Sequence, residues 1–201
     1  MHTNAKSHIL QSFTSESQIL KHLSAFEAAH LHHSLSSRLA DTGKAKIAYF
    51  FHEGLLGGAT LHLMQHALIL KQYGFSPIFC FVKDTIIASE VFEFATKHDI
   101  PIEFLKYTRY TFGKRPTRDD LRYVSSLKKW MFVKKIKLVH CVTYMPAIAL
   151  SAYELGIPHL ATLHQFYENS SIAPMALDER FVSAIHSSSL YYADKWQSFL
   201  G

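Results

Sequence analysis

No stretch of this 201-residue chain comes near the roughly 20 consecutive apolar residues that a helix needs to cross a bilayer, so no transmembrane helix is expected. Cysteine is scarce. Cys80 and Cys141 are the only two, too few for a disulfide framework. Both sit inside apolar strand-like runs, where a free thiol behaves as a small buried hydrophobe, and a reducing, cytoplasmic setting is expected. The amino-terminal MHTNAKSHIL has no charged segment leading into an apolar core, so export is not expected. Missing too are the Gly-x-Gly-x-x-Gly spacing of dinucleotide-binding turns and a glycine loop ending in Gly-Lys-Ser or Gly-Lys-Thr. A nicotinamide enzyme is further disfavoured because the nearest acidic residue after the second expected strand is Asp84, reached only after Lys83. There is no internal repeat and no low-complexity tract.

What the chain has is apolar residues, 48% of the total, enough for one globular domain with a core of its own. Its most telling stretch is KIAYFFHEGLLGGATLHLMQHALILKQYG, residues 46–74. Residues 47–51 form a near-continuous apolar run, the pattern of a parallel strand covered on both faces. A helix is expected over 59–73, with Leu61, Met64 and Leu68 on one stripe, Leu63, Ala67 and Leu70 beside it, and Gly74 as its stop. Gly54, Gly57 and Gly58 then fall between the carboxyl end of a strand and the amino end of a helix, where open α/β sheets bind ligands. Glycines let backbone N–H groups approach an anion and the helix end adds partial positive charge, so phosphate is the natural ligand. A tight turn that holds no ligand would use the same residues.

The alternation continues. Strands are expected at 75–82, 100–105, 138–142, 157–163 and 181–185, with helices at 86–98, 118–135, 147–155 and 190–200. Such alternation specifies an α/β fold built on a doubly wound parallel sheet. Residues 1–43 stand outside the pattern. Ile19, Leu23 and Phe26 recur at helical spacing within 15–39, and Asp41-Thr42-Gly43 reads as a stop, so 1–43 is an amino-terminal helical extension and 44–201 the α/β domain. The extension holds Glu27-Ala-Ala-His30, with His32 and His33 close by. Carboxylate-bridged metal bundles use that spacing but draw ligands from several helices, so a solvated polar face is expected there.

Charge is uneven. Residues 106–137 hold eleven Lys or Arg against two Asp, a balance of +9 where the rest of the chain is −4. Tyr107, Tyr110, Tyr123, Trp130 and Phe132 are interleaved with these cations. A basic helix carrying aromatics can lie on an anionic membrane or meet a phosphorylated ligand. The plainer reading is favoured, since a helix in this fold must bury one stripe anyway: the aromatics pack on the sheet and the lysines face water. His140 and Cys141 are adjacent on an expected strand and point to opposite faces, so they cannot share a metal or nucleophile site.

Three segments together resemble the amino-terminal domain of a GT-B glycosyltransferase, most closely family 4 of the retaining enzymes that use nucleotide sugars. HEGLLGGA, residues 52–59, is similar to that family's glycine-glycine loop opening the first helix. LVHCVTYMPAIALSAYELGIPHLATLH, residues 138–164, resembles its strand ending in Val-His, small-residue helix, Gly-Ile-Pro, and strand ending Thr-x-His. FVSAIHSSSLYYADKWQSFLG, residues 181–201, looks like the closing strand, Ser-containing turn and helix. Lys137, Val142 and Gln165 depart from the residues usual in the family at those places.

The resemblance implies a Rossmann-like sheet forming the acceptor-side half of a two-domain enzyme. The carboxyl-terminal donor domain is absent from these residues, to be supplied by further chain or by a second protein, and the chain alone is expected to be inactive. By resemblance Gly57 and Gly58 approach the donor diphosphate, and His164 is the active-site histidine beside the sugar. Tyr144, Gln165, Tyr167, Glu168 and Ser187 are the candidates for contact with acceptor or sugar, Ser187 as a turn or capping residue near the cleft floor. No cofactor and no metal are implied, the nucleotide sugar being a substrate and no Asp-x-Asp being present. The expected partners are the nucleotide-sugar donor, an acceptor, the donor domain and, through residues 106–137, an anionic membrane surface, with no nucleic acid. The setting implied is cytoplasmic, peripheral at the membrane. The alternative is a non-catalytic Rossmann-like binding or scaffold subunit of a two-chain transferase.

Overall fold

A computed structural model describes residues 44–108, 117–163 and 183–187. The chain divides into two units, Met1–Asp41 and Thr42–Gly201, and every described residue belongs to the second. The extension with Glu27, His30, His32 and His33 and the helix expected over 190–200 lie outside the described residues.

Among the described residues ten elements follow one another: β1 (Lys46–Phe50), α1 (Gly58–Gln72), β2 (Ser76–Val82), α2 (Ser89–Lys97), β3 (Ile102–Leu105), α3 (Arg118–Lys134), β4 (Ile136–Cys141), α4 (Pro146–Glu154), β5 (His159–Leu163) and β6 (Ala184–Ser187). The six strands make one parallel sheet in the order β3-β2-β1-β4-β5-β6. This is the Rossmann order: the chain runs outward from β1 through β2 and β3, then crosses to β1's other side and runs outward again. The central strands are apolar on both faces because both are covered. All of β1 except Lys46 is buried, as are the five inner residues of β2.

The register sorts the two faces. Phe79, Tyr49, His140, Leu160 and Ala184 lie in one row across β2, β1, β4, β5 and β6, and in a parallel ladder paired residues point the same way. On that face α1 packs through His66 against Tyr49 and His140, and α2 through Phe94 stacked on Phe79. The opposite face carries Phe50, whose ring meets Trp130 of α3 edge-on with centroids 6.0 Å apart. α3 in turn packs on α4, where Ser151 Oγ of α4 donates to Val124 O of α3 at 3.4 Å. Two helices per face make the sheet doubly wound.

Three local expectations are corrected. In α1 the buried arc is Thr60, Leu63, Met64, His66, Ala67 and Leu70, while Leu61 is 43% exposed. The helix offers two overlapping apolar stripes, and the one centred on Leu63, Ala67 and Leu70 faces the sheet. The helix expected from residue 86 begins at Ser89, because residues 85–88 are held as a loop: Ala88 N–H donates to Gly54 O at 2.9 Å. The last described strand runs from Ala184 to Ser187 rather than over 181–185, since its ladder continues to Thr162 and Leu163.

Helix ends follow their sequence. α3 opens with a capping box in which Thr117 N–H donates to Asp120 Oδ2 at 2.7 Å and Asp120 N–H to Thr117 Oγ1 at 3.2 Å. α1 stops where Gly74 takes φ +89. α3 stops at Lys135, which adopts the same left-handed region, φ +57, with a side chain attached. Lys71 Nζ donates to Asp99 O at 2.7 Å and fastens the end of α1 to the loop after α2. β3 and β6, at the two sides of the sheet, have four residues each.

Candidate functional site

The switch point of this sheet lies between β1 and β4, whose following connections run to opposite sides, so a crevice opens at their carboxyl ends. Two segments border it: the β1–α1 loop, residues 51–57, and the β4–α4 connection, residues 142–145. Phe51 N–H donates to Cys80 O at 3.0 Å and Val142 N–H to Phe50 O at 3.0 Å, so both segments leave the sheet as continuations of its ladder.

The three glycines of the first loop differ in purpose. A Cβ on Gly54 would sit 2.3 Å from Ile86 O and 2.8 Å from Ile87 Cα. Gly54 is therefore demanded by the neighbouring backbone. A Cβ on Gly57 or Gly58 would meet nothing within 4 Å, and neither has positive φ. No internal packing asks for glycine at these two positions; their lack of side chains leaves the start of α1 open. That start has no side-chain cap and no acidic residue in its first turn, so partial positive charge there is not met by the helix's own residues. Leu55 and Leu56 of the same loop are exposed.

Beneath α1 lies a polar row that sequence reasoning missed. Tyr49 Oη and His66 Nδ1 are 2.9 Å apart, and His140 Nε2 and Thr162 Oγ1 2.7 Å apart. The His66 and His140 rings meet edge-on with centroids 4.9 Å apart, and Tyr49 packs on both. His62, one turn before His66, stacks on His186 with centroids 5.2 Å apart and rings 8° from parallel. Burial pushes the Tyr49 hydroxyl pKa well above its ordinary value and holds that of His62 below its own. The signal was present: His62 and His66 stand four residues apart on a largely apolar helix, a spacing that places both on one side. Among the described residues, no group of three or more His, Cys, Asp or Glu is placed to hold a metal ion.

Other candidates fall as follows. Tyr144 lies in the β4–α4 connection and is buried, 1% exposed. Ser187 ends β6 at the carboxyl edge. His164, Gln165, Tyr167 and Glu168 lie outside the described residues; His164 directly follows the last residue of β5. His140 and Cys141 occupy opposite faces, and burial pushes the thiols of both Cys80 and Cys141 well above the ordinary range, so neither is a nucleophile in this setting.

The basic segment is divided. Tyr107 is buried, its hydroxyl reaching Phe51 O at 2.6 Å and Cys80 O at 2.9 Å, and Trp130 packs on Phe50. Lys128 pairs with Glu154 at 2.5 Å, Lys134 with Glu103, and Arg122 with Asp119 at 3.1 Å. The outer face of α3 keeps Arg118, Lys129 and Lys135 in water beside Phe132, 75% exposed, and Val133, 66% exposed. Tyr110, Lys114 and Arg115 lie outside the described residues. No described helix is long and apolar enough to cross a membrane.

The chain matches no protein-family model and no curated protein. Among solved structures it is similar to glycosyltransferases. MurG of Acinetobacter baumannii aligns over 71% of this chain and 41% of its own, with 14% identity and a TM-score of 0.49. A glycosyltransferase of Rickettsia africae aligns over 64% of this chain and 32% of its own, with 19% identity and a TM-score of 0.46. A UDP-glucosyltransferase of Polygonum tinctorium aligns over 63% and 31%, with 14% identity and a TM-score of 0.42. The chain spans less than half the length of each.

Proposed function

We propose that this chain is the amino-terminal, acceptor-side half of a retaining GT-B glycosyltransferase that moves a sugar from a nucleotide-sugar donor to an acceptor. The observation that carries the reading is the open, uncapped start of α1 at Gly57 and Gly58, set at the switch point of a Rossmann-ordered sheet. The Gly57 N–H is taken by Leu55 O at 3.1 Å, so it is the N–H groups from Gly58 onward that stabilise the charge growing on a leaving diphosphate, in the same way as donors of an oxyanion hole. The sequence resemblance adds His164, the residue next in sequence after β5. In this reading its imidazole hydrogen-bonds a sugar hydroxyl or a developing charge, and Tyr144, Gln165, Tyr167, Glu168 and Ser187 belong to the sugar and acceptor side. A donor domain, in the same chain or another, supplies most of the nucleotide contacts, and residues 1–201 alone turn nothing over.

The test is transfer or donor hydrolysis from a set of nucleotide sugars, by residues 1–201 and by the same residues joined to a donor domain. Activity of the joined form only supports the reading. Robust transfer by 1–201 alone overturns the half-enzyme assignment. A second reading, a non-catalytic scaffold subunit, is favoured by one observation: α3 presents cations beside exposed Phe132 and Val133, a face suited to docking on an anionic membrane. Inertness of both forms together with membrane binding would select it.

A further inference from the structure

We propose that the stacked imidazoles of His62 and His186 form an acid-sensitive latch, fastening the outer strand β6 to the first turns of α1 while both rings are neutral and releasing it on protonation. The geometry is specific. The rings lie 5.2 Å apart and 8° from parallel, one on the fifth residue of a helix and the other on a strand that, among the described residues, pairs with β5 alone. Two neutral imidazoles pack well in this way. A proton on one places charge in a site shielded from water, and a proton on each sets like charges face to face.

The surroundings deepen the effect. On the same face of the sheet, Thr162 of β5 is the register partner of His186, and His66 on α1, Tyr49 on β1 and His140 on β4 continue the polar row beyond it. Tyr49 with His66 and His140 with Thr162 form two hydrogen-bonded pairs, and a second imidazolium in the same row would repel the first. Burial already holds the His62 pKa below its ordinary value. The sign follows from linkage. A histidine with a lowered folded pKa makes the open form bind more protons, so its stabilising contribution is complete above the open-state pKa of about 6.5 and is lost as pH falls towards the folded value. The inference rests on this stacking and not on the transferase reading.

Amide exchange of the 201-residue chain, corrected for intrinsic rates, and histidine ring resonances would be followed from pH 8 to pH 5. Protection of residues 184–187 is expected to fall by about tenfold per pH unit below about 6.5 for each histidine held neutral, while residues 46–50 keep theirs. His186→Phe retains a flat ring with nothing to protonate and should flatten that dependence by about one proton. The proposal is overturned if both segments lose protection together, or if a folded His186→Phe keeps the full pH slope. Should that variant fail to fold, the wild-type rings decide: His62 and His186 titrating at or above the ordinary value in the closed chain would equally overturn it.

Discussion

At the scale of single residues, glycines that look alike in the sequence separate into two kinds. Gly54→Ala should destabilise the domain by about 1–3 kcal/mol, because its Cβ would press on rigid backbone at Ile86, and a urea melt will show it. Gly58→Ala, at the first helical position with open space ahead, should leave stability unchanged or raise it by about 0.5–1 kcal/mol. Its cost should appear only in donor binding by the complete enzyme; a Gly58→Ala protein that melts lower would show that the glycine serves the fold. For His164→Ala in the complete enzyme, steady-state kinetics should give a kcat about 10²–10³-fold lower with a smaller change in donor KM. Near-normal turnover would remove His164 from the proposed site. The sequence could place Gly57 and Gly58 at a strand-to-helix turn, because local periodicity defines that turn. It could not tell which glycine is sterically required, since the atom that decides belongs to Ile86, 32 residues away.

At the scale of elements, the ends of α3 invite opposite changes. Thr117→Ala removes the capping box and should cost about 1 kcal/mol, whereas Lys135→Gly relieves a left-handed residue and should return about 0.5–1 kcal/mol, both measured by urea midpoint. On the outer face of the same helix, Lys129→Glu with Phe132→Ser should weaken co-sedimentation with anionic vesicles and leave neutral vesicles unaffected. Equal binding of wild type to both kinds of vesicle would exclude the lipid role. Each described helix and strand was legible from apolar periodicity to within a few residues, because burial between two helical layers writes a strong pattern into the chain. What was not legible was the choice between overlapping stripes in α1, where Leu61 and Leu63 are equally apolar and only packing on the sheet decides. The cluster of Tyr49, His66, His140 and Thr162 escaped for a related reason. Its members come from α1 and three strands, and register alone brings them together.

For the whole molecule, alternating strands and helices joined by right-handed crossovers specify a doubly wound parallel sheet, which is why the fold class could be read before any coordinates, while the order β3-β2-β1-β4-β5-β6 comes from the structure. A core with Ile47, Tyr49, Phe50, Phe51, Phe79 and Phe81 almost wholly withdrawn from water should make the 201-residue chain melt in one cooperative calorimetric transition. A broad transition without a defined midpoint would count against an autonomous domain.

The short outer strand β3 has a consequence for how the protein behaves when crowded. An unpaired strand flank is a template on which foreign backbone can polymerise, and long flat flanks seed fibrils. Among the described residues that flank offers four residues and carries Glu103 paired with Lys134. So short and charged a border makes a poor template, and strand addition by another chain at β3 is expected to be disfavoured.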